Sequence, residues 1–575
     1  VLLATLTIIV LYGLYKSKIP KTLEGYFLSN RNMSWSMILL GIITTQASAV
    51  TFLSAPGQAF SDGMRFVQYY FGLPLAMIVL SISFIPLFNK LKLFTAYEFL
   101  EQRFDLKTRA FTSALFLLSR GLSTGISIYA PSIVLSSLLG WNIYLTNFIM
   151  GGVVIIYTMT GGAQAIVFTQ RLQFAIILGA MILVGVIAVE KLPTGIGATE
   201  ALYIGGAAGK MNIITSGLSK NGFDWNDKYN ILSGLIGGFF LALSYFGTDQ
   251  SQVGRYLTAK DTTESRMGLL LNGIVKVPMQ FLILLMGIFI FSFYQLNKSP
   301  VFFNTAALTP KIYQGKYGDS IRTMEHQFEM LNKQQQTVAT RFSDALKKQD
   351  EAEKKLYKDS IRQLNTNADA LRKNYKQLLN KADKSIDTND TNYVFIRFLL
   401  DNFPVGLIGL VIAVMFLAGW GSIAAAINSL ASATMIDFYY RFKKKNNPAQ
   451  QQPENAALQY RQSIWAVAAW GVFCIFVAGI ASKMGSLIEA VNVLGSLFYG
   501  VMLGIFLVAF YMKKLTGDAV FRAAVISEIL VIVLFYLDKK EIIGIGFLWL
   551  NAIGAIAVML TGWVFQRILD AGKSK

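Results

Sequence analysis

Two apolar stretches of the chain carry small polar residues that are unusual in plain lipid-crossing helices. One covers residues 44–51 and includes Thr44, Gln46 and Thr51, and the other covers residues 243–250 and includes Tyr245. In hydrocarbon every backbone polar group must be satisfied, so an interrupted helix is tolerated where it lines a cavity and its freed carbonyls bind a ligand or ion. Both stretches are therefore candidate ligand sites, with close helix packing through small residues as the alternative.

A third cluster of small residues covers residues 418–429. A hard monovalent cation favours about five neutral oxygens, drawn from carbonyls of an interrupted helix and hydroxyls of a packed neighbour, and needs no carboxylate. Thr44, Ala47, Ala418 and Ser422 could supply such oxygens. The three stretches together indicate a cation site beside a ligand pocket.

The elements that would position these residues are membrane-spanning helices. Hydrophobic residues make up 54% of the 575 positions and charged residues 15%, and the apolar residues fall in blocks of roughly 20, enough to cross the hydrocarbon core. Cys474 is the single cysteine, so a disulfide framework and a thiolate metal cluster are excluded. His326, the single histidine, lies in a polar stretch, which excludes an intramembrane histidine relay.

The apolar blocks predict thirteen transmembrane helices in an all-α polytopic membrane protein. They lie near residues 1–15, 34–61, 66–88, 110–139, 141–160, 164–190, 230–257, 266–295, 398–437, 461–481, 487–512, 519–537 and 542–565. Because Lys and Arg concentrate in alternate loops, the positive-inside bias places the N-terminus outside and the C-terminus in the cytoplasm.

The two interrupted stretches begin the second and the seventh predicted spans, which are five apart. That spacing is expected if two five-helix units are repeated with opposite topology and meet at the bilayer midplane. We accordingly assign residues 1–15 to an extra N-terminal helix, 34–190 to the first repeat, 230–512 to the second repeat, and 519–565 to two C-terminal helices.

Residues 297–393 form a polar break inside the second repeat and are predicted to face the outside. Apolar residues recur there at helical spacing, as in Ile321, Phe328, Leu371 and Tyr375, so two antiparallel helices could bury the stripes against each other. This predicted external helical hairpin is interpreted as a cap over the entrance to the molecule. An external protein partner that docks on it is the alternative.

Several strings resemble those of the sodium/solute symporter family, whose members are sodium-coupled carriers of sugars, iodide, monocarboxylates, vitamins and sialic acid. The strings are residues 48–53, 95–99, 128–131 and 161–167, together with Asn428-Ser429 and Asp437. The resemblance covers nearly all of the chain except the insertion. It implies a leucine-transporter-like fold, with a 5+5 inverted repeat and two broken helices, and symport of a solute with sodium.

The resemblance also implies a sodium site. Matching the motifs assigns main-chain carbonyls of Thr44 and Ala47, a carbonyl of Ala418 and the hydroxyl of Ser422. Gly421 stands where many members have another serine, so one hydroxyl is missing. The positions that form a second sodium site in some members hold Gln170, Ala424 and Ala425, which implies one sodium ion per cycle.

The solute pocket implied by the resemblance includes Gln46, Thr51, Tyr245 and Lys276. Arg120 lies three residues before the position of the carboxylate-binding arginine of sialic-acid carriers. Two cations in apolar spans, without a certain carboxylate partner, indicate an anionic solute.

Other roles for the two cations stay open. Arg120 could snorkel or pair with Glu98, and Lys276 could bond pocket carbonyls or water. A neutral sugar or polyol is therefore the second candidate solute. A sodium-dependent sensor and an ion channel are the other classes considered, whereas an enzyme is disfavoured because the apolar spans show no nucleophile, metal cluster or carboxylate dyad.

Overall fold

A computed structural model of the chain describes residues 23–46, 48–220, 222–384, 386–446, 456–481 and 486–573. Two sequence predictions, the N-terminal helix at residues 1–15 and the sodium ligand Ala47, lie outside these residues. In the described part the chain is almost entirely helical, with one two-stranded ribbon formed by β1 (Leu218–Ser219) and β2 (Gly222–Phe223).

The helices follow in chain order. The first half contains α1 Leu23–Leu28, α2 Trp35–Gln46, α3 Ala49–Asp62, α4 Leu73–Leu91, α5 Tyr97–Arg103, α6 Leu106–Leu139, α7 Ile143–Glu190, α8 Ala198–Ala207, α9 Gly238–Thr248 and α10 Gln250–Leu257. The second half contains α11 Thr262–Leu296, α12 Pro310–Gln314, α13 Gly318–Lys348, α14 Glu351–Ala382, α15 Val394–Asn402, α16 Val405–Ala433, α17 Tyr440–Asn446, α18 Ala456–Ala478, α19 Leu487–Tyr511, α20 Gly517–Lys539 and α21 Trp549–Lys573.

Nine helices in the described residues are long and apolar enough to cross a membrane, or ten if the bent pair α2–α3 forms one span. The predicted count of thirteen is not confirmed. Helix α7 runs without interruption through residues 160–164, where the sequence predicted a loop. A glycine pair costs a helix only about 1 kcal/mol per residue, whereas a break in hydrocarbon leaves backbone groups unsatisfied.

The predicted span at residues 398–437 also has different bounds. The short helix α15 ends at Asn402, and the long helix α16 begins at Val405 after Pro404. Proline lacks a backbone N–H and is therefore favoured at a helix start and disfavoured inside one. The break at this position follows directly from that residue.

The first predicted interruption is confirmed by the bend of 56° between α2 and α3. The Thr51 hydroxyl donates to the Gln46 carbonyl over 2.7 Å, across the break. This bond satisfies one carbonyl that the interruption frees from the helical ladder. The side chain of Thr51 thus fixes the geometry of the turn as well as facing the pocket described below.

The second interruption falls at Asp249, whose extended backbone separates α9 from α10. The Tyr97 hydroxyl donates to the Thr248 carbonyl over 2.7 Å, and the Tyr256 hydroxyl donates to the Phe246 carbonyl over 3.1 Å. Tyrosines from neighbouring segments therefore satisfy two carbonyls at this break. Both broken helices are structural facts, whereas the inverted-repeat relation between them stays a prediction.

Helices α16 and α11 approach the broken pair closely. A Cβ on Gly419 of α16 would lie 3.2 Å from the Cβ of Ala49, and a Cβ on Gly287 of α11 would lie 2.4 Å from the Pro56 carbonyl oxygen. Residues without a side chain at these points let the backbones pack at short distance, as is typical of membrane helices. The broken helix is thus held from two sides.

An ionic cluster joins α5, α6 and the turn that follows α16. The buried Asp437 carboxylate accepts from Arg109 Nη2 over 2.7 Å, from the Thr95 hydroxyl over 2.7 Å and from the Ser113 hydroxyl over 3.1 Å. A buried carboxylate is stable when its oxygens are paired and hydrogen-bonded in this way. Thr95 and Asp437, noted separately in the sequence, therefore meet in space.

The polar insertion contains the antiparallel pair α13 and α14, called here the hairpin. Its helices bury Ile321, Phe328 and Tyr375, as the apolar periodicity predicted. Asn365 of α14 bonds reciprocally to Gln295 of α11, at 2.9 Å and 3.3 Å. Buried side-chain amides thus attach the hairpin to a helix of the membrane-spanning part.

Candidate functional site

A cavity of about 140 Å³ lies between the broken helices and α6, α11, α16 and α19. All five residues predicted to contact solute line it, namely Gln46, Thr51, Arg120, Tyr245 and Lys276. They come from five helices, α2, α3, α6, α9 and α11, so the sequence-based assignment of these side chains to one pocket is consistent with the geometry. We call this space the central cavity.

Arg120 is paired inside the protein, which the sequence did not predict. Its Nη1 lies 4.0 Å from Oδ2 of Asp249, the residue at the second helix break. The same carboxylate oxygen accepts from the Tyr499 hydroxyl over 2.6 Å. The suggested pairing with Glu98 is wrong, because the Glu98 carboxylate lies 3.8 Å from Nη2 of Arg109 instead.

The Asp249 carboxylate also caps the second half of the broken helix. Its Oδ1 accepts from the backbone N–H of Ser251 over 2.7 Å and from the Ser251 hydroxyl over 2.5 Å. A carboxylate at a helix N-terminus satisfies free N–H groups and faces the positive end of the helix dipole. Asp249 thus links the helix break, Arg120 and Tyr499.

Lys276, unlike Arg120, has no ion pair with a described residue. Its side chain is 1% exposed, and its Nζ lies 5.3 Å from the centroid of the Tyr70 ring. Among the described residues, no carboxylate lies within ion-pair distance of Nζ, and no side chain or backbone carbonyl accepts a hydrogen bond from Nζ. A buried ammonium with only a ring face beside it is costly unless an anion or polar ligand joins it.

Neutral polar groups complete one wall of the central cavity. Gln46 Nε2 donates to Asn272 Oδ1 over 2.9 Å, which ties α2 to α11. Gln252 Nε2 donates to the Tyr245 hydroxyl over 2.7 Å, and the Tyr245 ring lies 5.8 Å from the Tyr499 ring. Tyr245 is therefore oriented by both halves of the broken helix.

Four of the five residues predicted for the sodium site are described, and they lie on α2 and α16, two helices that contact each other. Thr44, Ala418, Gly421 and Ser422 are buried, and Ser422 also lines the central cavity. The Ser422 hydroxyl donates to the Gly419 carbonyl over 2.9 Å, so its lone pairs are free to face a cation. The close approach of Gly419 to Ala49 places this helix beside the break, as such a site requires.

The sequence reasoning missed several residues that line the cavity, among them Tyr69, Tyr70, Asn492 and Tyr499. The Tyr69 hydroxyl donates to Asn492 Oδ1 over 3.0 Å, and the two tyrosines pack edge to face. Adjacent tyrosines before an apolar span were a usable signal. Asn492 and Tyr499 were harder to recognise from the sequence, because helix packing, and not a local sequence pattern, decides which face of their helix turns toward the cavity.

Comparison with known proteins identifies the family to which the chain belongs. The family model described as the sodium:solute symporter family matches residues 26–315 and 380–526. The chain belongs to the sodium:solute symporter family. It is accordingly a transporter and not an enzyme, and it is a multi-pass membrane protein for which sodium is the expected co-transported ion. Residues 316–379, which hold most of the hairpin, lie outside the match.

Individual members of this family show similarity over different lengths. The chain is 23% identical to the sodium/sialic acid symporter SiaT of Proteus mirabilis, over 100% of this chain and 95% of that protein. It is 27% identical to the human sodium/iodide cotransporter, over 44% of this chain and 38% of that protein.

A solved structure supports the fold. The structure of a Na⁺-coupled sialic acid symporter, in a substrate-bound outward-open state, matches with a TM-score of 0.72 and 20% identity, over 99% of this chain and 97% of the other. At this identity the likeness establishes the fold alone. It agrees with the leucine-transporter-like architecture expected from the sequence.

Proposed function

We propose that this symporter imports a small organic anion together with one sodium ion per cycle, by alternating access. We place its N-terminus and the hairpin outside a cytoplasmic membrane and its C-terminus in the cytoplasm. The observation that carries the choice of solute is Lys276, a buried lysine that lines the central cavity and lacks a carboxylate partner in the described part of the chain.

Lys276 is the cation that we assign to the solute carboxylate. A charge-assisted hydrogen bond between an ammonium and a carboxylate is about twice as strong as a neutral one, and a low-dielectric surrounding makes an unpaired charge costly. Binding of an anion would therefore stabilise Lys276 as well as hold the solute. The Tyr70 ring, 5.3 Å from Nζ, is a neutral neighbour and does not balance the charge of an ammonium.

Arg120 has a positioning role in this proposal. Its charge is balanced by Asp249, so it orients Tyr499 and the second helix break and does not add a second free cation. Because Asp249 balances Arg120, Lys276 is the one cation of the cavity lining without a carboxylate partner among the described residues. A neutral sugar or polyol therefore stays the alternative solute. The two candidates are separated by the charge that moves in each cycle.

The proposed sodium site uses carbonyls of Thr44, Ala47 and Ala418 and the Ser422 hydroxyl. The buried neighbours Ala424 and Ala425 carry no hydroxyl for a second ion, which supports one sodium per cycle. Sodium binding would hold α2 against α16 and order the cavity for solute. Rocking of one helix group against the other would then open the opposite side near Tyr245.

The proposal is tested by uptake of radiolabelled sialic acid, pyruvate and glucose into proteoliposomes, with and without an inward sodium gradient. We expect sodium-dependent uptake of an anion, lowered at least about tenfold by Lys276→Gln at low solute concentration. The control Lys260→Gln removes an exposed cation from the loop before α11 and leaves uptake unchanged. Equal anion uptake by Lys276→Gln and the wild type would refute the assignment.

A further inference from the structure

A second and larger cavity, of about 470 Å³, lies between the hairpin and the membrane-spanning helices. Its floor is formed by the end of α3 and the end of α11, including Phe60 and Phe291, and its roof is formed by α13 and α14. We call this space the vestibule. Most of the roof lies outside the residues that the family model matches.

The vestibule has an excess of positive charge. Its lining contains three cations, Arg372, Lys373 and Lys376, and two carboxylates, Asp369 and Asp390. Lys376 is paired with Asp390. Lys373 is exposed and has no ion pair with a described residue, so its charge faces the open space. The field in this space therefore favours an anion.

Arg372 is held rigidly at the centre of the lining. Its Nη2 donates to the Ser299 hydroxyl and to the Pro300 carbonyl, each over 2.9 Å. Its guanidinium carbon lies 4.7 Å from the centroid of the Phe328 ring and 5.0 Å from that of the Phe303 ring. The Phe60 ring lies 5.8 Å away as a third aromatic neighbour, so two neutral acceptors and three rings fix the plane of the guanidinium.

The remaining donors of Arg372 are free to bind a ligand. Within the described ranges no residue accepts a hydrogen bond from its Nη1 or Nε, and no carboxylate lies within 4 Å of the guanidinium. A guanidinium with a free donor edge matches the geometry of a carboxylate, which it binds through two parallel hydrogen bonds. Arg372 and Lys373 are neighbours in sequence and could contact the same anion.

The rest of the lining fits the body of a polar organic molecule. The amides of Gln377 and Asn380 both donate and accept hydrogen bonds, and Phe60 and Tyr294 offer ring faces. A bare inorganic anion could accept from the two amides but would leave the ring faces unused. The chemical class that uses all of them is a small carboxylate with a hydroxylated or amide-bearing body.

The vestibule and the central cavity share two helices. Phe60 lies nine residues after Thr51 on α3, about 14 Å along the axis, and Phe291 lies fifteen residues after Lys276 on α11, about 22 Å along the axis. Along these helices the two spaces are therefore about 14–22 Å apart.

We propose that the vestibule is a second binding site, which captures the carboxylate solute on Arg372 and Lys373 before it enters the central cavity. This inference rests on the proposed function, because it assigns the same anionic solute to both sites. The hairpin supplies the cations, so it acts as part of the substrate-binding surface.

The test is equilibrium binding of radiolabelled sialic acid and of radiolabelled pyruvate to the full-length protein in nanodiscs. We expect two saturable sites per chain for the transported anion in the wild type and one in Lys276→Gln. That remaining site should be weakened at least about tenfold by adding either Arg372→Gln or Lys373→Gln. Lys358→Gln removes an exposed cation from the same helix outside the vestibule and should retain the site.

The outcomes separate the two proposals. Loss of all binding in Lys276→Gln alone would overturn the vestibule site and leave the proposed function standing. Unchanged uptake by Lys276→Gln would overturn the assignment of Lys276 to the solute carboxylate. The binding measured for Arg372→Gln and Lys373→Gln would still show whether the vestibule holds a second site. Lys373 is exposed, so its variant tests the charge without disturbing the fold, and failure of both probes to bind any variant would contradict both proposals.

Discussion

The pairing of Arg120 with Asp249 makes a strong prediction about the substitution Asp249→Asn. Asparagine retains an oxygen for the two bonds from Ser251, so the helix cap is preserved and the lost feature is the charge. At the observed 4.0 Å separation, opposite charges attract by about 4 kcal/mol at an effective dielectric constant of about 20. Leaving one buried partner alone typically costs about 3–5 kcal/mol.

We therefore expect Asp249→Asn to lower the free energy of unfolding by about 3 kcal/mol, and Arg120→Gln/Asp249→Asn to recover most of that loss. The assay is unfolding of the purified wild type, both single variants and the double variant in one detergent. Asp261→Asn is a matched control, because Asp261 caps the start of α11 but has no cation partner in the described chain.

A coupling free energy of about 2 kcal/mol or more between positions 120 and 249 would support the pairing. Additive effects of the two single substitutions, within about 0.5 kcal/mol, would refute the reasoning. In that case Arg120 would count as a free cavity cation after all, and it would join Lys276 as a candidate for contact with the solute.

Three further predictions concern the sodium site, the contact between α16 and α3, and the segment that follows the hairpin. Ser422→Ala should raise the sodium concentration for half-maximal uptake by about fivefold, the cost of one hydrogen-bonding oxygen, whereas Ser429→Ala on the same helix should not; equal shifts would contradict the assignment. Gly419→Val should abolish uptake and lower the melting temperature, because even a Cβ there meets the facing helix at 3.2 Å, whereas Gly406→Ala has open space and should be neutral in both assays. Burial raises the pKa of Asp387 to about 7, so its protonated form is favoured in the folded state, and its contribution to stability should fall as the pH rises from about 4 to 7. Asp387→Asn should flatten that part of the melting profile, and an unchanged profile would exclude this carboxyl as its source.

The sequence was most informative where backbone chemistry is local. The polar residues of 44–51 predicted a break that the structure confirms at Ser48, and the polar run ending at Gln250 predicted the break at Asp249. Both patterns conflict with an uninterrupted helix in hydrocarbon, so they could be recognised without knowledge of their neighbours. The apolar stripes of the hairpin were informative for the same reason.

The sequence was less informative about which distant side chains meet. Asp249 belonged to a polar stretch that had been singled out, yet its contact with Arg120 depends on how α6 rotates against the second broken helix. Tyr499 reaches the same carboxylate from α19. In a membrane all helix faces are apolar, so hydrophobic periodicity does not reveal which face turns inward, and such pairs require the structure.

The vestibule shows the same limit. Arg372 was one basic residue among many in a polar insertion, and its significance follows from Phe303 and Phe328, which lie on separate segments around it. The family match also passes over most of the hairpin. Neither periodicity nor resemblance therefore points to this residue, whereas its fixed guanidinium does, since no carboxylate of the described residues lies within 4 Å of it.

The central claim, import of an anion with one sodium ion, is tested most directly by the effect of membrane potential on accumulation. One sodium ion with one monovalent anion moves no net charge, whereas one sodium ion with a neutral solute moves one charge, worth about 2.3 kcal/mol per 100 mV. Proteoliposomes with a fixed inward sodium gradient should therefore accumulate the labelled solute to the same level at zero potential and at an imposed potential of about −100 mV. Accumulation that rises toward about fiftyfold with the potential would contradict this account and favour a neutral solute or a second sodium ion.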